Sequence, residues 1–129
     1  MSSFEQYATL TKILVIDDEP DIRDLLTYNL EKSGFAVVQG CNGHEAIELT
    51  RKELPQLIIM DVMMPIMDGI EASKIIRADK ELKQPIILFL TARSRNFAAS
   101  AVEQAKANSF IVKPVPPQRL VSHIHQLLE

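Results

Sequence analysis

Five short apolar runs, separated by segments with helical spacing, restrict the fold of this chain more than any other feature of the sequence. The runs lie at residues 13–16, 35–38, 57–60, 86–90 and 110–112. None of them alternates apolar with polar residues, which is typical of strands covered by helices on both faces. The pattern therefore predicts a parallel β-sheet buried between two layers of helices.

The segments between and after these runs predict five helices. The first begins near Pro20 and ends at Ser33-Gly34, a proline start and a glycine stop that are typical of helix boundaries. We expect the others at residues 43–53, 69–79, 96–106 and from about 117 to the end. The inner face of the fourth is mostly alanine, so this helix should pack thinly. Residues 12–129 are predicted to form one domain, preceded by a loose tail at residues 1–11.

The bulk properties exclude several classes of protein. The chain has 129 residues, a formal net charge of −3 and one cysteine. A single cysteine rules out an internal disulfide, and this charge gives no reason to expect nucleic-acid binding by the domain alone. No secretory signal or apolar stretch of about 20 residues is visible, so we expect no membrane span and a cytoplasmic location.

Polar side chains follow four of the five runs. Asp17 and Asp18 come after the first run, Asp61 after the third, Thr91 after the fourth and Lys113 after the fifth. A single aspartate in such a place is usually a helix cap or a turn former. In a parallel sheet, however, all these positions meet at the carboxyl edge, where ligands of open α/β sheets bind. The four endings together indicate a functional site.

The charges at this edge indicate a metal. Two carboxylates about 4 Å apart repel by roughly 4 kcal/mol at an effective dielectric constant of 20. The single cation Lys113 cannot neutralise Asp17, Asp18 and Asp61 together. Oxygen ligands favour a hard divalent cation, and a phosphate-handling site favours Mg²⁺.

These segments resemble the receiver domains of response regulators in two-component signalling, including the chemotaxis regulators. Asp17-Asp18-Glu19-Pro20, residues 61–69, Thr91-Ala92 and Lys113-Pro114 are similar to the signature segments of that family, in the same order. The resemblance covers about residues 12–128. It implies a flavodoxin-like three-layer sandwich, with five helices around a five-stranded parallel sheet of order 2-1-3-4-5.

The resemblance also assigns roles to the site residues. Asp61 would be the phosphoacceptor, and Asp18, Asp61 and the backbone carbonyl of Met63 would bind Mg²⁺ directly, with Asp17 acting mainly through water. Lys113 and Thr91 would contact phosphoryl oxygens, which completes the catalytic set. The Lys113-Pro114 bond is a candidate cis peptide, since family members usually have one there.

A switch and a set of partners follow from the same resemblance. Thr91 would move toward the phosphoryl group, and Phe110 would then turn inward and reshape the last two strands and helices. The donor would be a sensor histidine kinase or a histidine phosphotransfer protein. The output would be a downstream protein or an output domain missing from this chain.

Three other functions remain open at this point. An aspartate-based phosphatase would place a second acid two residues after its nucleophile, where this chain has Met63. An unphosphorylated interaction module would not need the full set of site residues that this chain carries. A nucleotide-binding domain would show a glycine-rich loop after the first strand, and none is present. We therefore expect a signalling phosphoacceptor that assists its own phosphorylation and dephosphorylation, not an enzyme.

The region around the fourth helix departs from the family pattern. Lys106 stands where many members have a helix-ending glycine, and Asn108-Ser109 replaces the usual acidic pair. Many DNA-binding members dimerise through charges on that face, and those charges are not clearly kept here.

Overall fold

The structure is a computed structural model that describes residues 10–129. Five strands alternate with five helices: β1 Lys12–Ile16, α1 Pro20–Lys32, β2 Ala36–Gly40, α2 Gly43–Glu53, β3 Leu57–Asp61, α3 Gly69–Ala78, β4 Ile86–Thr91, α4 Arg95–Ala105, β5 Ser109–Val112 and α5 Pro117–Leu128. The predicted tail, residues 1–11, lies outside the described residues except for Leu10 and Thr11. The elements therefore match the predicted number and type.

All strand pairs are parallel, and the strand order is β2-β1-β3-β4-β5. This is the order that the resemblance implied, and it places β1 and β3 side by side near the centre. Because each strand returns through a helix, the carboxyl ends of all five strands lie along one edge. The three-layer, flavodoxin-like fold class is confirmed.

Several predicted boundaries differ from the observed ones by one or two residues, and two of these differences have a clear local reason. The second strand begins at Ala36, because the Phe35 N–H still donates to the Leu30 carbonyl and so closes α1. Gly34 makes that closure possible with a φ of 95°. The fourth helix ends at Ala105, because Lys106 has a φ of 57° and leaves the right-handed helical conformation.

Side-chain caps fix the starts of the three helices on one face of the sheet. The side chains of Asn42, Asp68 and Ser94 accept hydrogen bonds from the N–H groups of residues 45, 71 and 97. Such a cap satisfies a backbone donor that the helix leaves without a partner, and it contributes about 1 kcal/mol. The helices on the other face, α1 and α5, instead begin with Pro20 and Pro117.

The sheet separates two apolar cores. One core joins α2, α3 and α4 to the side chains of one sheet face, and the other joins α1 and α5 to the opposite face. In α4 the fully buried residues are Ala98, Ala101 and Ala105, which confirms the thin packing expected from the sequence. These small side chains bury little apolar area each, although Phe97 and Val102 of the same helix also pack against this core.

The helices are short. Helix α1 has 13 residues, or about 20 Å at 1.5 Å per residue, whereas the hydrocarbon core of a bilayer is about 30 Å thick. Within residues 10–129, no helix is long and apolar enough to cross a membrane.

Candidate functional site

The carboxyl edge of the sheet brings the site residues together. Asp61 is the last residue of β3 and Thr91 the last of β4, whereas Asp17 directly follows β1 and Lys113 directly follows β5. Because β1 and β3 are neighbours, Asp17 and Asp61 lie beside each other. We call Asp17, Asp18, Asp61 and Lys113 the acidic pocket.

Lys113 bridges the two buried acids of the acidic pocket. Its Nζ lies 3.1 Å from Asp17 Oδ2 and 3.4 Å from Asp61 Oδ2. Its backbone N–H donates to the Thr91 carbonyl at 2.7 Å, which fixes the chain beside β4. The Lys113-Pro114 peptide bond is cis. The lysine is thus held by both its backbone and its side chain.

Burial and charge shift two pKa values in the pocket. Burial raises the pKa of Asp61, and the neighbouring carboxylate of Asp17 raises it further, against the opposing attraction of Lys113. Burial alone would lower the pKa of Lys113, but its attraction to Asp61 and Asp17 outweighs burial and raises that pKa. Lys113 therefore stays charged at neutral pH, while ionised Asp61 remains electrostatically unfavourable.

The carboxylates fit a divalent cation. Asp17, Asp18 and Asp61 each offer an oxygen, and these oxygens lie within 4.8 Å of one another. Asp17 is 1% exposed, whereas Asp18 is exposed to solvent. Three negative groups with one ammonium partner leave an excess of negative charge, and hard oxygen donors are the ligands that Mg²⁺ prefers. The pocket therefore has the charge and donor atoms of a Mg²⁺ site.

Met63 lies at the open side of the pocket, two residues after Asp61. Its backbone N–H donates to Asp61 Oδ1 at 3.2 Å, and its side chain is 52% exposed. This hydrogen bond fixes the carboxylate of Asp61 from the side opposite Lys113. Each oxygen of Asp61 therefore has one protein partner.

Thr91 and Phe110 lie on the same side of the sheet. The β4–β5 register pairs Phe89 with Phe110 and Thr91 with Val112, so Thr91 and Phe110 are diagonal neighbours. Thr91 is fully buried, and its hydroxyl oxygen accepts a hydrogen bond from the Arg93 N–H at 3.1 Å. Phe110 packs against the core beneath α4. The Thr91 hydroxyl proton is not used in the bond to Arg93.

Two residues that support the site were missed from the sequence. Arg23 Nη1 donates to the Asp17 carbonyl at 2.7 Å and so positions the end of β1. Gly69 approaches the chain closely, since a Cβ there would lie 2.6 Å from the Asp61 carbonyl oxygen. Gly69 was noted only as the end of the signature segment 61–69 and the start of a helix, and nothing in the sequence singled out Arg23 from other helical arginines.

Comparison with known proteins identifies the class. Residues 13–125 match the model of the response regulator receiver domain. The chain belongs to this family, whose members are signalling domains of two-component systems.

Individual relatives are similar over most of this chain. The alkaline phosphatase synthesis transcriptional regulatory protein PhoP of Bacillus subtilis is 40% identical over 91% of this chain, which spans 48% of PhoP. An uncharacterized 14.6 kDa protein of Leptolyngbya boryana is 39% identical, with 88% of this chain and 87% of that protein covered. The structure of the chemotaxis response regulator CheY4 of Vibrio cholerae superposes with a TM-score of 0.85 at 30% identity, covering 92% and 99% of the two chains.

These relatives differ in what lies beyond the matched region. This chain spans about half the length of PhoP but nearly the whole of CheY4. The family works with histidine kinases or phosphotransfer proteins, and it generally binds Mg²⁺ at an acidic cluster.

Proposed function

We propose that Asp61 accepts a phosphoryl group from a sensor histidine kinase or a histidine phosphotransfer protein, in a Mg²⁺-dependent reaction. One observation carries the proposal: Asp61 lies at the centre of the carboxyl edge, with Lys113 on one oxygen and the Met63 N–H on the other. These contacts orient the carboxylate without closing the pocket. Residues 12–129 form the receiver unit of this proposal.

The transfer forms one bond and breaks one bond. A carboxylate oxygen of Asp61 bonds to phosphorus, while the bond from phosphorus to the donor nitrogen breaks and its electron pair leaves with the imidazole. The product is an aspartyl phosphate. An ionised Asp61 is required, and because burial raises its pKa, the charge of Lys113 helps to favour the reactive carboxylate form.

The charge on the transferring group determines the other roles. Lys113 contacts one phosphoryl oxygen, and its raised pKa keeps it charged. Asp18, Asp61 and the Met63 carbonyl would hold Mg²⁺, with Asp17 acting mainly through water, and the bound ion would supply positive charge against the phosphoryl group. Thr91 donates its hydroxyl proton to a further oxygen. Catalysis is then positioning plus electrostatics.

The same contacts make the domain a switch. Thr91 is buried, and its hydroxyl oxygen accepts from the Arg93 N–H in this structure, so its free hydroxyl proton must be turned toward the phosphoryl group by a movement of the side chain. Its movement frees space on the side of the sheet where Phe110 lies, and Phe110 turns inward. The reshaped surface of α4, β5 and α5 acts on a downstream protein or an output domain.

The domain is a signalling phosphoacceptor that assists its own phosphorylation and dephosphorylation. The position two residues after Asp61 supports this assignment, because a turnover phosphatase of the aspartate type needs an acid there to protonate the leaving group. Met63 has no proton to transfer.

Incubation with Mg²⁺ and acetyl phosphate tests the proposal. We expect the protein to gain one phosphoryl group, about 80 Da by mass spectrometry, and Asp61→Asn to abolish the gain. Asp68→Asn is the matched control, because Asp68 caps α3 on the same loop but lies outside the acidic pocket. An adduct that persists in Asp61→Asn, or steady hydrolysis of phosphate esters, would contradict the proposal.

A further inference from the structure

The loop between β1 and α1 carries two of the three carboxylates of the acidic pocket, and these two are held differently. Asp17 Oδ1 accepts a hydrogen bond from the Glu19 N–H at 2.9 Å, and Asp17 Oδ2 lies 3.1 Å from Lys113 Nζ. Asp18, in contrast, is exposed to solvent, and no hydrogen bond from residues 10–129 holds its carboxylate. The place of Asp18 in the pocket therefore depends on the backbone that carries it.

The backbone between Asp17 and Asp18 lies just beyond the strand pairing of β1. The last residue of β1 in register with its neighbours is Ile16. The Asp17 carbonyl accepts instead from a side chain, since Arg23 Nη1 donates to it at 2.7 Å. A carbonyl and the N–H that follows it belong to one planar peptide group. Arg23 therefore fixes the orientation of the peptide group that leads into Asp18.

Arg23 is itself held from the neighbouring strand. It is half-buried on α1, and its Nε donates to the side-chain oxygen of Gln39 on β2 at 3.4 Å. Gln39 Nε2 in turn donates to Thr27 Oγ1, one turn further along α1, at 2.7 Å. The guanidinium thus contacts the end of β1 and the edge strand β2 through separate N–H groups. A lysine, with one ammonium at the end of a flexible chain, does not reproduce this arrangement.

The charge of Arg23 gives no reason to find an arginine beside a cation site. A guanidinium repels a metal ion in the acidic pocket, so by charge alone a neutral residue would favour metal binding. The contact with the Asp17 carbonyl acts in the opposite direction, because ligands that are already in place lose less conformational freedom on binding. The two effects of Arg23 on metal affinity have opposite signs, and an experiment can separate them.

We propose that Arg23 is a positioning residue for the metal site: through the peptide group between Asp17 and Asp18 it places Asp18 for Mg²⁺, and Gln39 supports it from β2. The inference rests on the Mg²⁺ site of the proposed function but not on phosphoryl transfer. Groups that orient metal ligands without touching the metal typically contribute about tenfold or more to its affinity.

Isothermal titration calorimetry with Mg²⁺ tests this role. We expect Arg23→Met, which keeps a long unbranched side chain but removes the charge and the donors, to bind Mg²⁺ about tenfold more weakly than wild type. Arg23→Lys retains one donor group and should lie between the two, and Gln39→Leu should lose less affinity than Arg23→Met. Arg51→Met is the matched control, because Arg51 pairs with Asp79 at an exposed position outside the acidic pocket. It should bind Mg²⁺ as wild type does.

Two further measurements distinguish positioning from a purely structural role. Urea titrations in EDTA give the stability of each variant without metal, and circular dichroism verifies that each is folded. The rate of mass gain with acetyl phosphate is then measured against Mg²⁺ concentration. Arg23→Met should need about tenfold more Mg²⁺ for half of its maximal rate, yet reach the wild-type maximum. A purely structural loss would lower the stability in EDTA and leave the Mg²⁺ dependence unchanged.

The possible results lead to different conclusions. Equal Mg²⁺ affinity in wild type and Arg23→Met would overturn the inference and leave the proposed function intact, and tighter binding by Arg23→Met would overturn it because charge repulsion would then dominate. Weaker Mg²⁺ binding by Arg23→Met, without mass gain in any protein, would support the inference and contradict the proposed function alone. A wild type that binds no Mg²⁺ would overturn both. If Arg23→Met does not fold, Arg23→Lys and Gln39→Leu decide by the same comparison.

Discussion

Asp61 combines two requirements that oppose each other at the scale of a single residue. As the proposed acceptor it must be ionised, yet burial and the neighbouring Asp17 disfavour the ionised form and raise its pKa. Lys113 offsets part of this effect through its contact with Asp61 Oδ2. The ionised carboxylate of Asp61 is therefore expected to lower the stability of the fold.

Replacement of Asp61 by a neutral residue should raise the stability of the folded state. Because the folded-state pKa of Asp61 is raised, its protonated form is favoured in the fold, and stability is lost as pH rises through that pKa. Asp61→Asn should therefore unfold at a higher temperature than wild type at neutral pH in EDTA, by a few degrees. The difference should shrink as pH falls below the pKa of Asp61, where the wild-type side chain is also neutral. Thermal melts across acidic and neutral pH measure it, and a constant difference would contradict this explanation.

The aspartates could be selected from the sequence because each follows an apolar run, and parallel strands bring such positions together. Lys113 could be selected as a site residue for the same reason, because it follows the fifth apolar run. Arg23 could not, because its role depends on the rotation of α1 against β1, which periodicity does not specify. Likewise, the closeness of Gly69 to the Asp61 carbonyl is a distance across a loop, which no local pattern encodes.

At the scale of elements, Arg77 holds together the corner where α3, α4 and β5 meet. Its guanidinium donates to the carbonyls of Lys106 and Pro85 and to the side-chain oxygens of Gln84 and Asn108, at 2.7–2.9 Å. Lys106 needs this support because it adopts a left-handed conformation with a φ of 57°, which costs a non-glycine residue about 1 kcal/mol or more. The departure from the family pattern at the end of α4 is thus accommodated by an arginine on a neighbouring helix.

Arg77→Ala should lower the free energy of unfolding by about 2–4 kcal/mol, since it leaves several oxygen acceptors without a charged donor. Arg51→Ala is the matched control: Arg51 makes an exposed ion pair with Asp79 at 3.2 Å, and such a pair contributes less than about 1 kcal/mol. Urea titrations of both variants provide the comparison. Equal losses in the two would show that the corner does not depend on Arg77.

The elements themselves were accessible from the sequence because apolar runs and helical spacing are local signals. The start of β2 was misplaced because a hydrogen bond between Phe35 and Leu30 decides that boundary, and the end of α4 because Lys106 adopts a left-handed conformation. The left-handed residues Leu54 and Ile66 were not anticipated either. Their conformations follow from how neighbouring elements are joined, and neither residue type favours them.

At the scale of the whole molecule, the acidic pocket joins β1, β3 and β5, which are far apart in sequence. The group of three carboxylates, Asp17, Asp18 and Asp61, comes together only in the folded sheet, so only the folded state can bind a cation there. Binding to the folded state alone stabilises it, by about 2.7 kcal/mol at a free ligand concentration one hundred times Kd. The unfolding temperature should therefore rise with the concentration of Mg²⁺.

We expect Mg²⁺ to raise the unfolding temperature of wild type and to have much less effect on Asp18→Asn. Glu19→Gln removes the same charge one residue further along, outside the group of three carboxylates, and should respond as wild type does. Calorimetry with Mg²⁺ and with EDTA measures the shifts. A wild-type unfolding temperature that ignores Mg²⁺ would argue against a metal site in the acidic pocket.

The alanine face of α4 affects the free energy needed to displace this helix from the sheet. Ala98, Ala101 and Ala105 bury little apolar area each, so a displacement of these residues transfers little apolar surface to water; the larger contribution of α4 comes from the partly buried Phe97 and Val102. Helices α1 and α5 cover the opposite core with larger side chains, such as Leu30, Leu120 and Ile124. In the proposed switch, the phosphoryl group would therefore have to displace a helix with small buried side chains, while the core on the opposite face of the sheet stays packed.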